Sequence, residues 1–274
     1  MAAVAVLSAQ ELLRDHILSY CDAVTTFRLL AAWSRLREEL SHLHRIRIDF
    51  PSCASEGLKM RCDWLACGLS ALAGLKHMSL RAVLASLKGS RELAGAVARQ
   101  KNLLSLSVDL TCGSVGVAGG SAAMSAWISA ITALKRLEDL DIRLAYHGVK
   151  PKAALEFAEQ LAHWRQLRRL AVRLDGNAIL DEVPVVLVQH AAGLPDLGKL
   201  HLDLASCSIT SQPGACDLAD AISGPLALSL VREGKLKEVQ IDLRGNSLDR
   251  CSRARLNAAC LRLQMRGCQA SLLS

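Results

Sequence analysis

One apolar pattern, with hydrophobic residues at relative positions 1, 4, 6 and 8, recurs seven times and limits what this chain can fold into more than any other feature. The rows are Leu43-Ile46-Ile48-Phe50, Leu75-Met78-Leu80-Ala82, Leu103-Leu106-Val108-Leu110, Leu137-Leu140-Ile142-Leu144, Leu167-Leu170-Val172-Leu174, Leu197-Leu200-Leu202-Leu204 and Leu236-Val239-Ile241-Leu243. With half of the residues apolar, any one row matches by chance about 7% of the time. A series of seven, starting 28 to 39 residues apart, is a repeat in which each unit holds one strand and one helix.

Within a row the period is two, so the apolar residues face one side of a strand and those between them face the other. Between rows the period becomes helical: Phe157, Leu161 and Trp164 share one face at i, i+4 and i+7. Comparable stretches at about 56–72, 91–100, 121–133, 183–193, 216–231 and 252–265 predict a helix after most rows. Strand–helix alternation implies a parallel α/β sheet with one face covered by helices. The expected architecture is a solenoid over 43–274 of about seven repeats, with a curved sheet inside, helices outside and a helical cap over 1–42.

The composition suits that core. Hydrophobic residues make up 51% of the chain but aromatics only 3%, so Leu, Val, Ile and Ala must fill the interior. The net charge of +7 is mostly dispersed among acids. The two locally basic stretches, Arg165 to Arg173 and Arg244 to Arg266, lack the interleaved aromatics that stack on bases, so nucleic acid is not the expected partner. The ten cysteines are scattered without the two-residue gap of zinc or redox sites and are read as reduced thiols; Cys62 and Cys67 are read as small apolar helix residues. Met1 to Ala9 lacks the basic segment of a signal peptide, and no apolar run is long enough to span a bilayer, so an intracellular, cytoplasmic protein is expected.

The row Leu202-Asp-Leu204-Ala-Ser-Cys207-Ser-Ile209-Thr210, followed by Gly214-Ala-Cys216-Asp-Leu218-Ala219, resembles leucine-rich repeats of the ribonuclease-inhibitor type. Ile241-Asp-Leu243-Arg-Gly-Asn246-Ser-Leu248 carries the Asn form of the same turn, and Asn177 with Ile179 falls in the same phase after Leu174. The second to fourth rows have neither Asn nor Cys there. The resemblance implies an inward-turned Asn or Cys that satisfies buried backbone groups of the loop.

Ahead of the repeats, Leu12-Leu13, Ile17-Leu18-Ser19-Tyr20-Cys21-Asp22, Phe27-Arg28-Leu29-Leu30 and Trp33 resemble an F-box, the helical module that docks on the adaptor of cullin ubiquitin ligases. The family's Leu-Pro pair is replaced by Ala9 and Gln10. That resemblance implies an adaptor-binding face of Leu13, Ile17, Leu18 and Tyr20; the alternative is a cap that only shields the first strand.

No chemistry stands out. Gly113-Ser-Val-Gly116-Val-Ala-Gly119-Gly120-Ser121 mimics a dinucleotide fingerprint but lacks its spacing, and is read as a connection with Ser121 capping the next helix. His42 and His44 flank a core Leu, His163 and His190 sit on helices, and no nucleophile motif accompanies them, so no catalytic residues, metal or cofactor are expected. The informative polar residues are those between the core positions of each strand. One column reads Asp49, Arg81, Asp109, Arg143, Arg173, Asp203 and Asp242. The column before it reads Arg47, Ser79, Ser107, Asp141, Ala171, His201 and Gln240. Two readings stay open: a self-neutralising ladder, or a mixed-charge surface that selects a protein partner. The functions expected are non-enzymatic protein binding, as the substrate receptor of a ubiquitin ligase, or a structural subunit of a larger assembly.

Overall fold

The computed structural model describes residues 44–49, 69, 72, 74–83, 87–111, 120–229 and 235–274. The expected cap over 1–42, with its F-box-like residues, lies outside them, as do Cys62, Cys67 and residues 113–119 of the glycine-rich segment.

Eight parallel strands form one sheet in strict sequence order. They are β1 (Arg45–Asp49), β2 (His77–Val83), β3 (Ser105–Thr111), β4 (Asp139–Arg143), β5 (Arg169–Arg173), β6 (Lys199–Asp203), β7 (Glu238–Asp242) and β8 (Gln269–Leu273). The first seven coincide with the apolar rows. The eighth was not expected from the pattern: Val239 pairs with Ala270 and Ile241 with Leu272, but Gly267 and Ser274 occupy the two outer places of its row.

Helices follow where the period changes: α1 (Leu87–Ala98), α2 (Gly120–Thr132), α3 (Pro151–Gln160), α4 (Glu182–Ala192), α5 (Cys216–Ala221) and α6 (Arg250–Gln264). Pro151 opens α3, where its missing N–H costs nothing. Asp249 caps α6 by accepting the Ser252 N–H at 2.7 Å. The single helix expected over 216–231 is broken instead. Alpha-helical geometry holds for six residues and then widens at Ile222–Leu226, where Pro225 removes a backbone donor. The second helix opens at Gly120, one residue before the Ser121 expected to cap it.

Each helix packs on the next, and the strand residues at the apolar positions whose side chains are described are buried in the same core. One continuous core runs from Ile46 to Ala270. Its largest fully buried side chains are Trp127, Trp164 and Phe157, the last two packed with ring centroids 5.9 Å apart. At about 1.5–3 kcal/mol per buried large side chain, no single repeat could offset the entropy of ordering some 30 residues, so stacking is obligatory.

Loops after the strands repeat one geometry. The second residue beyond the last buried strand position has a left-handed backbone in four successive units: Tyr146, Gly176, Ser206 and Gly245. The next residue turns inward. Asn177 donates to the carbonyls of Leu144 and Leu174, both at 2.8 Å, and accepts the Val149 N–H at 2.9 Å. Cys207 donates to Leu174 O at 3.2 Å. In the fourth unit, which has neither Asn nor Cys, His147 takes this place, buried with its Nδ1 2.9 Å from Ala145 O.

Candidate functional site

The cross-strand register places the two polar columns side by side on the sheet face away from the helices. Arg47, Ser79, Ser107, Asp141, Ala171, His201 and Gln240 are successive partners, and so are Asp49, Arg81, Asp109, Arg143, Arg173, Asp203 and Asp242. Strand alternation explains this, since each core residue forces its neighbours to the other face. A third column, absent from the expectation, lies at the strand starts: Arg45, His77, Ser105, Asp139, Arg169, Lys199, Glu238 and Gln269.

Adjacent strands lie about 4.8 Å apart, so like charges in one column repel and opposite charges can pair. Arg81 pairs with its direct neighbour Asp109 at 3.6 Å. Arg173 does not pair within its column but crosses diagonally to Asp141 at 3.3 Å, past the small Ala171. Asp242 is held by Arg244 of its own chain segment through three side-chain contacts, Nε to Oδ1 at 3.0 Å and to Oδ2 at 3.1 Å, and Nη2 to Oδ2 at 2.6 Å. That side-chain pairing holds the Asp242 carboxyl below the usual carboxylate range.

Arg143 and Asp203 have no ion pair among the described residues, although Asp109 lies opposite Arg143 and Arg173 opposite Asp203; their other neighbours, Arg173 and Asp242, carry like charges. Next to them is Asp175, one residue past the core Leu174. Its side chain is only 9% exposed, and its Oδ1 is buried without a hydrogen-bond partner. The Arg143 Nε is likewise buried and unpartnered. Burial pushes the Asp175 carboxyl up from its ordinary value, and the nearby Asp203 charge adds to the rise, against the opposing pull of Arg143 and Arg173. Half-buried His201 is shifted down by burial and by Arg173.

At the rim, the Tyr146 ring is half exposed and lies across Gly176, where a Cβ would collide with its ring carbons. Glycine is required there twice over, because its backbone is also left-handed.

The structure therefore gathers the sequence-derived columns and adds Asp175, His147 and Tyr146. Their signal was the loop phase visible at Asn177 and Cys207: His147 lies three residues after Leu144 as Asn177 does after Leu174, with Tyr146 and Asp175 in the same two loops. Of the expected histidines, His44 is exposed with Nδ1 3.1 Å from Gly74 O, and His163 and His190 lie at the helix surface. Leu13, Ile17, Leu18 and Tyr20 lie outside the described residues, as does the Asp49 side chain.

At the strand starts, Arg168, Arg169, Lys199, Lys235 and Lys237 rim an open depression of about 700 Å³ together with Asp139 and Asp196. Most of this charge is spent internally: Arg168 on Glu138 at 3.6 Å, Lys199 on Glu238 at 2.6 Å and Lys235 on Asp196. No group of three or more His, Cys, Asp or Glu suited to a metal ion occurs among the described residues, and none of their helices is long and apolar enough to cross a membrane. The chain matches no protein-family model and no curated protein.

Proposed function

We propose that this chain is a leucine-rich-repeat solenoid of the ribonuclease-inhibitor type that binds another protein on the open face of its sheet, without catalysing a reaction. The observation that carries this reading is the distribution of charge left over on that face. Where Arg81, Arg173 and Asp242 are neutralised internally, Arg143, Asp175 and Asp203 are not, and they cluster at the ends of three consecutive strands. A purely structural ladder would gain by alternating sign at these places, since like charges directly opposite destabilise a sheet. A recognition surface keeps such charges for its partner, where complementarity governs approach and selectivity.

The test is affinity purification of the full chain and of Arg143→Glu/Arg173→Glu from native extract. Proteins held by the wild type and lost by the variant, but kept by the helix-side control Lys152→Glu, support the open face as the binding surface. An identical set of proteins from all three overturns it.

The F-box-like segment adds a proposed second role, as the substrate receptor of a cullin-type ubiquitin ligase. Pull-down with the purified adaptor, lost on Ile17→Asp, supports that role. Absence of binding, where a control F-box binds, leaves a scaffold with a helical cap.

A further inference from the structure

Proteins seldom leave a buried carboxylate oxygen unpaired. Such a group loses its hydration and gains nothing in return, which costs about 1–3 kcal/mol or more when it is charged. Asp175 has this condition at Oδ1, in the loop that follows β5 at the edge of the open face. Asp203, on the neighbouring strand, forms no ion pair among the described residues although Arg173 lies opposite it, and its one hydrogen bond there is long, 3.4 Å from the Ala205 N–H. Around the strand ends, Arg81, Arg143, Arg173 and Arg244 stand among Asp109, Asp141, Asp175, Asp203 and Asp242, four cations to five carboxylates. The ring beside it, Tyr146, offers an exposed aromatic surface held in place by the backbone of Gly176.

We propose that Asp175 and Asp203, with Tyr146 at the rim, form a receptor for one cationic side chain of the protein partner, an arginine guanidinium suiting it best. This rests on the reading of the open face as a protein-binding surface. A guanidinium donates to two carboxylates from a rigid planar fork while its face lies against an aromatic ring. The incoming charge compensates the two neighbouring carboxylates, and rotation of the Asp175 carboxyl toward the open face brings its orphaned oxygen within reach of the guanidinium N–H groups. In the free protein Arg143 attracts the Asp175 carboxyl but forms no ion pair with it among the described residues, and its Nε is left without an acceptor.

The full chain is titrated by NMR or calorimetry with Nα-acetyl-arginine methylamide and with the neutral isostere Nα-acetyl-citrulline methylamide. The expected result is saturable binding of the arginine compound and none of the citrulline compound. Binding falls at least tenfold in both Asp175→Asn and Asp203→Asn, falls about threefold in Tyr146→Leu, and is unchanged in Asp220→Asn, whose carboxylate lies on α5 and pairs with Arg255. Circular dichroism establishes that each variant is folded. Equal binding of the two compounds, no binding of the arginine compound, or undiminished binding in either of the first two variants overturns the proposal. Such failure would leave the open face itself to be judged by the Arg143→Glu/Arg173→Glu comparison, which does not depend on Asp175.

Discussion

Asn246 reaches from its own loop into the one before it and holds Cys207 in place: its Oδ1 accepts the Cys207 N–H at 2.9 Å and the Ile209 N–H at 3.0 Å. Its Nδ2 donates to Leu204 O and Leu243 O, both at 2.8 Å. Asn177 does the same two units further back, tying its loop to Leu144 and Val149. These amides cross-link successive units through backbone groups that no strand or helix satisfies.

Asn177→Ala should therefore cost about 3 kcal/mol, because it strands a buried N–H and two buried carbonyls at once. Urea unfolding checks this as a lower midpoint at unchanged slope. A cost below about 0.5 kcal/mol would mean that water replaces the amide.

His147 occupies the corresponding place without an amide, and burial holds its ring below the usual histidine value. The unfolded chain then takes up a proton at higher pH than the folded one. Stability from this group is complete above about pH 6.5 and is lost as pH falls from there toward the folded-state value. His147→Gln should lose less stability than the wild type between pH 7.5 and 5.5 in paired denaturation curves; parallel loss would assign the dependence elsewhere.

Asp175 gives the opposite sign. Its carboxyl is raised in the fold, so the folded state holds the proton more tightly, and the ionised form costs stability at neutral pH. That cost disappears as pH falls through the folded-state value toward about 4. Asp175→Asn should melt at a higher temperature than the wild type at pH 7, with the difference shrinking on acidification. A lower melting temperature at pH 7 would show that the carboxylate is already well compensated.

Thiol reactivity should divide the described cysteines. Burial pushes Cys207 up to about 12 and Cys260 and Cys268 to about 11, whereas Cys251 is exposed on α6. Iodoacetamide at pH 7.5, read by peptide mass spectrometry, should modify Cys251 in the native protein and reach Cys207 only after unfolding. Comparable native rates at the two would contradict the packing around Leu174.

Much of the fold is legible residue by residue. Leu170 and Val172 alternate with Ala171 and Arg173, and that alternation suffices to assign the strand, its buried face and its column mates. β8 escaped because Gly267 and Ser274 break its row, and a strand closing the end of a sheet packs on one neighbour only. The end is finished by a side chain instead: Gln264 donates to Ala270 O at 2.6 Å. The break within 216–231 is signalled by Pro225, although the apolar period continues through it.

What the amino-acid sequence determined by itself is periodic: which residues enter the core, which share the open face, and the order in which columns stack, because strand and helix geometry convert spacing directly into direction. Which charges on that face remain unpaired was decided only by the tertiary structure. Arg173 looks equivalent to Arg143 in the chain, yet it reaches Asp141 while Arg143 finds no carboxylate among the described residues. Pairing and burial depend on distances between residues about 30 positions apart, and a carboxylate such as Asp175 loses its water only when neighbouring loops close over it.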